Sequence, residues 1–478
     1  MTVPRYRPPA GSIPTLGVPT LRGVTKVHLV GIGGAGMRNL ARLFLARGIR
    51  VSGSDLKDSD GVRDLVASGA RVTVGHDAAT VDQVDAVVVS SAIRERNPEL
   101  AAARERGIAI WARQQAIAAF AEAHRSIAVA GTTGKTTTTS MIGTVLERAG
   151  LDPTYLVGGD LNESGSGARA GDGGLFVFEA DESDGSFLLT DPAIGVVTNV
   201  EVDHVDFYPG GADELRNAFA EFCRRSGHVV ACTDDAGARE ALRIAGVHAL
   251  GYGIEPEAQV RIVVETPGPG GARGSLTVDG VRVPLRLEVD GAHNLLDAAA
   301  AVAVGGLVGV PADEAAASLA SFGGIRRRFE FRGSARGADF YDDYAHVPTE
   351  LDVTLDVARR RRPRRLMAVF QPHRYSRTQA LWRELGASLA AADVVLVTDV
   401  YGANQDPIPG VTGASVVDGV ELAAPHGDVV YTPHGEQAVE FLAREVRDGD
   451  LVITLGCGDV WMLGDAAIAR IRERDGDG

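Results

Sequence analysis

Short apolar runs alternate with longer amphipathic stretches along most of the chain, and glycine turns or acidic clusters mark the joins. Lys26–Val30 reads as a buried strand, the stretch after Gly36 to about Ala46 as a helix stopped by Gly48, and Ile49–Ser52 as a strand leading to Asp55. Ala86–Ser90 predicts another strand, and Asn97-Pro98-Glu99-Leu100 a helix start. The rhythm restarts at Ser126–Ala130, then passes through a glycine turn into a helix from Thr136 to Arg148 with Gly150 beyond. Leu175–Phe178 and Ile194–Val200 predict strands that each run into acidic residues. A third series starts near Phe329, with strands at Asp339–Tyr344, Leu366–Phe370, Val394–Thr398 and Leu451–Leu455. Its helix Pro348–Arg362 has proline in the first turn and Leu351 and Leu355 on one face. This alternation predicts an α/β protein with doubly wound sheets. It divides into a flexible tail over 1–22 and segments 23–121, 122–328 and 329–478.

Composition narrows the partners. A length of 478 residues suggests about three domains, and a net charge of −15 disfavours nucleic acid or an anionic membrane surface. No apolar run approaches membrane-spanning length, and no leader pattern is visible. Cys223, Cys232 and Cys457 have no paired spacing, which suggests neither disulfides nor zinc and favours a reducing cytoplasm. The basic run Arg359–Arg362, with Arg364 and Arg365, reads as a solvated helix end complementing the helix dipole.

Candidate chemistry begins with lysine usage. There are three lysines against 45 arginines, and one, Lys135, lies in Gly131-Thr132-Thr133-Gly134-Lys135-Thr136 between a strand and a helix. Backbone N–H groups, a helix N-terminus and a mobile ammonium at that point suit nucleotide phosphates. The loop departs from the common phosphate-binding pattern, having Val129 where a glycine is usual. A second glycine turn, Gly31-Ile32-Gly33-Gly34-Ala35-Gly36, follows a strand, and Asp55 lies 19 residues after it. That suits a dinucleotide or nucleotide diphosphate with Asp55 on a ribose, or else a structural turn. The clusters Glu179–Asp184 and Glu201–Asp206 stand at strand ends, as solvated turns or as Mg²⁺ ligands. His204 by position alone fits a structural histidine equally well.

Together these strings resemble the Mur ligase family over residues 24–465. The carriers are Gly31–Met37, Ser52–Asp55, Val89–Ile93, Gly131–Thr139, Glu179–Phe187 and Thr198–His204. They continue with Gly291–Asn294, Arg327–Phe329, Asp342–His346, Phe370–Thr378 and Gly456–Asp459. The resemblance implies a Rossmann-like N-terminal domain, a central P-loop ATPase-type α/β domain and a C-terminal Rossmann-like domain. It also implies cytoplasmic, ATP- and Mg²⁺-dependent ligation of L-alanine to UDP-N-acetylmuramate through an acyl phosphate, by a monomer or homodimer. The alternatives are a ligase that adds the murein tripeptide to the same sugar nucleotide and a degenerate homologue that binds UDP-sugar and nucleotide without turnover.

Residue by residue, the resemblance assigns Gly31, Gly33, Gly34, Gly36, Asp55, Ser90 and Ser91 to the UDP-sugar. Gly131, Thr132, Thr133, Gly134, Lys135, Thr136, Thr137, His293, Asn294 and Arg327 go to ATP. Thr136, Glu179 and His204 go to metal, and Tyr344, His346, Arg374 and Arg377 to the amino acid. Lys135, His204, Arg374 and Arg377 are the expected catalytic set, drawn from three domains that would have to close on one another. Thr133, Val347, Asp297 and Cys457 depart from the family pattern, which usually has histidine, histidine, asparagine and alanine there.

Overall fold

A computed structural model describes residues 17–90, 93–162, 165–201, 207–208, 210–265, 270–403 and 405–476. Most of the expected tail, together with Ser91, His204 and the rest of the cluster after Glu201, lies outside the described residues. The chain divides into two compact units, the first running to Gly323 apart from 267–270, the second from Gly324 onward.

Among the described residues, the first unit holds two sheets. The smaller is parallel throughout, in the order Arg71–Val74, Arg50–Asp55, Lys26–Val30, Ala86–Val89, Ala109–Ala112. Strand order reverses between Lys26–Val30 and Ala86–Val89, so the carboxyl ends there open a crevice, and the first glycine turn sits in it. The larger sheet centres on Arg125–Ala130, flanked in parallel by Ile194–Val197 and Leu175–Glu179. It extends through His228–Cys232, Leu250–Gly253 and Val260–Val264, then turns antiparallel in Arg273–Val278 and Val281–Arg286. Thr154–Leu156 and Ala168–Arg169 finish its other side.

The two sheets share one core. Phe44 and Phe120 lie 5.2 Å apart and Phe120 and Phe176 6.1 Å apart, all three buried. Burying one such ring contributes roughly 1.5–3 kcal/mol. The two N-terminal segments read from the sequence are therefore packed as one body.

The second unit carries a six-stranded sheet among the described residues. Glu330–Ala335 pairs antiparallel with Ala338–Asp343; Asp450–Leu455, Arg365–Phe370, Val394–Val397 and Asp428–Tyr431 follow in parallel. Its basic run is not simply a solvated helix end. Arg361 lies over the rings of Phe329 and Tyr341, and Arg365 grips the buried Asp450 with two hydrogen bonds of 3.0 and 2.6 Å. Among the described residues no helix is long and apolar enough to cross a membrane.

Candidate functional site

The phosphate-type loop is built by two neighbouring strands. Arg125–Ala130 ends at Gly131, whose φ of +145° excludes most side chains; a Cβ there would also strike the Thr198 hydroxyl. Gly134 (φ +79°) turns the chain into the helix Lys135–Arg148. Thr198 and Asn199, which continue the adjacent strand, lace the loop shut. Thr198 donates to the Thr133 carbonyl at 2.6 Å, and Asn199 donates to the Thr133 hydroxyl at 2.7 Å and accepts its N–H at 2.9 Å. The Thr132 hydroxyl accepts the Glu201 N–H at 2.9 Å. Thr133, where histidine is usual, is thus a fixed part of the loop. Thr137 follows in the first helical turn.

Helix Ala292–Leu307 packs beside this one, and the Thr138 hydroxyl donates to buried Asp297 at 2.7 Å. His293 and Asn294 occupy its first turn, with Asn294 donating to the Asp290 carbonyl at 2.6 Å.

Carboxylates dominate around Lys135. Its ammonium donates to Glu182 at 2.9 and 3.0 Å and to the Gly131 carbonyl at 2.5 Å. Burial opposes its charge, but Glu182, Asp181 and Glu179 outweigh burial and raise its pKa. Burial pushes Glu182 up to about 7, with Lys135 pulling the other way. Burial also opposes ionisation of Asp181, yet Lys135 and Arg113 hold it down at about 2. Glu179 is raised by burial, although its carboxylate accepts the Gly158 N–H at 2.5 Å and a hydrogen bond from Thr136. Arg113, from the helix Arg113–Glu122, lies 3.6 Å from Asp181.

A cavity of about 110 Å³ joins these groups to the first glycine turn; Gly36, Arg113, Lys135, Gly158, Glu179 and Asp181 line it. A Cβ on Gly36 would run into the Arg113 guanidinium. Gly31 (φ +80°) and Ile32 donate to the Ser54 carbonyl at 2.8 and 3.0 Å. Asp55 accepts the Gly33 N–H at 2.9 Å and the Lys57 N–H at 3.2 Å, so its carboxylate shapes the turn. Gly34 caps the helix Ala35–Ala46, and Ser90 directly follows the strand Ala86–Val89 next door. Gly31, Gly33, Gly34, Gly36, Asp55 and Ser90 are therefore together.

Thr136 and Glu179, two of three expected metal ligands, face each other. Two hard oxygen donors suit Mg²⁺, which keeps water and phosphate oxygens for its other positions. Among the described residues no three His, Cys, Asp or Glu side chains gather into a cage of their own.

The second unit presents a different arrangement. Arg327 donates to buried Asp342 at 2.9 Å and to the carbonyls of Gly456 and Gly458 at 2.6 and 3.2 Å. Its guanidinium lies 5.2 Å from the centre of the Tyr344 ring. Glu350, in the first turn of Pro348–Arg360, reaches back to the His346 N–H and to its Nδ1, each at 3.1 Å. Arg328 stands 3.5 Å from Glu350 on another side. Burial opposes both charges of this pair; Cys457 and Glu350 nevertheless push His346 up to about 10, and His346 and Arg328 hold Glu350 well below the carboxylate range.

The His346 ring is 5.6 Å from Tyr344 and 5.8 Å from His373, and Arg377 donates to the His373 carbonyl at 3.4 Å. Arg374 caps the helix Tyr375–Leu389 at φ +70°, and Arg327 has φ +63°; such backbone costs an L residue roughly 1–2 kcal/mol. Tyr344, His346, Arg374 and Arg377 thus share one face at the strand ends, with Arg327.

Sequence reasoning missed Arg113, Asn199 and Glu350 as parts of these constellations. Glu350 alone had a local signal, four residues after His346 at a proline-marked helix start.

Three family models match in succession: "Mur ligase family, catalytic domain" over 26–125, "Mur ligase middle domain" over 129–305 and "Mur ligase, glutamate ligase domain" over 327–458. The chain is 48% identical over 467 residues to the UDP-N-acetylmuramate–L-alanine ligase of Saccharopolyspora erythraea, covering 94% of each. It is 46% identical over 463 residues to that of Acidothermus cellulolyticus, covering 95% of this chain and 96% of the other. The UDP-N-acetylmuramate–alanine ligase structure from Thermotoga maritima superposes with a TM-score of 0.80 at 26% identity, covering 95% of this chain and 99% of that one. A murein peptide ligase from Psychrobacter arcticus has the same fold, with a TM-score of 0.71 at 23% identity and coverage of 94% and 98%.

Proposed function

This chain belongs to the Mur ligase family, and on that premise we propose that it joins L-alanine to UDP-N-acetylmuramate at the expense of ATP, in cytoplasmic peptidoglycan precursor synthesis. The supporting observation is the cavity that runs from Gly36 to Lys135 and Glu179. It brings the glycine turn suited to a sugar-nucleotide diphosphate next to a phosphate loop and carboxylates.

The sugar acid's carboxylate must attack the terminal phosphoryl group of ATP, and two anions have to meet. Lys135 holds the β/γ-phosphates, exchanging its contact with Glu182 for phosphate oxygens. Loop N–H groups and the helix N-terminus add fixed positive potential. Thr136 and Glu179, with His204, would hold Mg²⁺, which supplies further charge neutralisation between the two anions. Arg113, paired with Asp181 and beside Gly36, adds a cation on the sugar-nucleotide side. Arg374 and Arg377 bind carboxylate or phosphoryl oxygens of the amino acid and acyl phosphate, with Tyr344 and His346 shaping that pocket. Positioning and electrostatics do the catalytic work.

The test is ADP release from UDP-N-acetylmuramate, ATP and magnesium with each amino acid in turn. ADP and the alanyl product should form together and only with a suitable amino acid. Turnover with the murein tripeptide but not alanine would move the assignment to a peptide-adding ligase. ADP formed equally without an amino acid would sink ligation altogether.

A further inference from the structure

The helix Ala35–Ala46 opens at the first glycine turn and packs against the short strand Ala168–Arg169 of the larger sheet. Asn39 is the one polar side chain among the buried residues of that helix, and it is fully buried. An amide on an otherwise apolar face is costly unless its hydrogen bonds are made, so packing alone does not call for it. Both its ends are held. Arg42 donates to Oδ1 at 3.1 Å, which leaves Nδ2 as the donor, and Nδ2 donates to the Val157 carbonyl at 3.3 Å. A planar trans peptide points its carbonyl and its N–H in opposite directions, so a grip on one sets the other. The N–H of that same peptide belongs to Gly158, and it donates to Glu179 Oε1 at 2.5 Å. Neighbours keep the peptide in place. Arg38 pairs with Asp160 at 3.2 Å, Asp160 accepts the Gly167 N–H at 3.1 Å, and the Val157 N–H donates to the Gly167 carbonyl at 2.7 Å. Gly167 leaves the room that the amide fills, since a Cβ there would strike Asn39 Nδ2.

We propose that Asn39 is a positioning residue for Glu179, aiming its carboxylate at a divalent ion through the Val157–Gly158 peptide. The helix that carries the sugar-nucleotide turn thereby helps to build the metal site on the neighbouring sheet. With Oε1 pinned by Gly158, the carboxylate no longer turns freely, and a ligand already aimed loses less entropy when an ion binds. The far end of the peptide is equally constrained. A Cβ on Gly158 would stand 2.7 and 3.0 Å from the two Glu179 oxygens and displace them. The metal rests on the proposed ligase reading; the aiming of the carboxylate does not.

The experiment compares full-length wild type with Asn39→Leu, Gly158→Ala and the double variant. Mn²⁺ uptake beside a non-hydrolysable ATP analogue is read by water-proton relaxation, which reports protein-bound ion. Each single change should weaken Mn²⁺ binding roughly tenfold, the scale for a group that orients a metal ligand. The double variant should also lose only about tenfold, because both changes break the same connection. In ligation assays the Mg²⁺ concentration for half-maximal rate should rise by the same factor, while KM for ATP and for alanine at saturating Mg²⁺ stays put. A merely structural role would lower the active fraction and leave the Mg²⁺ dependence unmoved, and that result would overturn the proposal. Crystals of Asn39→Leu grown without metal should show Glu179 released from the Gly158 N–H. Glu179 still bonded there, or single losses that multiply to about a hundredfold in the double variant, would equally overturn it. Wild-type protein that takes up no Mn²⁺ would count against the ligase reading alone, with the crystals still deciding the aiming.

Discussion

Glu182 in the first unit and Glu350 in the second are both buried, both paired with a cation, and pushed in opposite directions. Glu182 titrates near 7, whereas Glu350 is held far below the carboxylate range. Burial is the leading influence on each, so burial does not separate them. Charge stoichiometry does. Glu182 shares the Lys135 ammonium with Asp181 and Glu179, while Glu350 has His346 and Arg328 around it and also accepts the His346 N–H. The first region is short of cations and suits ligands that bring Mg²⁺ or are drawn to a mobile ammonium. The second is internally neutralised, and its groups serve to fix geometry.

Removing the shared cation should produce the largest effect. Lys135→Ala leaves Glu182, Asp181 and Glu179 facing one another, and it deletes the group assigned to the β/γ-phosphates. Ligation should fall by about a thousandfold or more, read as kcat for ADP release, with circular dichroism confirming a folded chain. A loss below tenfold would mean that the carboxylate surplus is not there to be met by this lysine.

The second region should answer with stability. Glu350→Gln removes the carboxylate from a buried pair and should cost roughly 3 kcal/mol near pH 7, measured by denaturant unfolding. The pH dependence has a definite sign. His346 is raised from an unfolded value near 6.5 to about 10, so its contribution is complete below about pH 6.5 and is lost as pH rises towards 10. Glu350 is depressed, so its share is present above about pH 4.3 and disappears on acidification. Wild-type stability from this pair should therefore peak between about pH 4.5 and 6.5, and the alkaline decline should flatten in Glu350→Gln. An unchanged alkaline slope would show that His346 is not held as imidazolium.

How much of this could be read beforehand divides along the same line. Strands such as Lys26–Val30 and the helix Lys135–Arg148 were legible because buried parallel strands are short apolar runs and glycine marks the turns. The phosphate loop was legible because its chemistry is local in sequence. The hairpin pair Arg273–Val278 and Val281–Arg286 was passed over although Asp279-Gly280 marks its two-residue turn, since polar residues and Pro284 interrupt its apolar runs. Arg113 beside Asp181 joins residues far apart in sequence that only the shared core brings together. Arg361 and Arg365 looked like solvated charges because composition does not reveal the Tyr341 ring or the Asp450 carboxylate waiting for them. Thr133 read as a departure from a family pattern, and its bond to Asn199 explains how the loop holds without histidine.

The smallest effect sharpens the comparison most, because its sign is opposite. Glu182 is raised from about 4.3 in the unfolded chain to about 7, so ionising it disfavours the folded state. That penalty is absent below about pH 4.3, grows between there and 7, and is constant above. Glu182→Gln keeps an oxygen to accept from the Lys135 ammonium, and Asp181 and Glu179 remain as its counter-charges. The variant should therefore be more stable than wild type at pH 8 by about 1 kcal/mol, a discounted fraction of the full shift because Lys135 loses one partner, and indistinguishable at pH 4. Scanning calorimetry at the two pH values reads it directly. A lower Tm at pH 8 would place Glu182 with Glu350, as an ionised carboxylate whose pairing outweighs its burial, and the contrast between the two regions would fail.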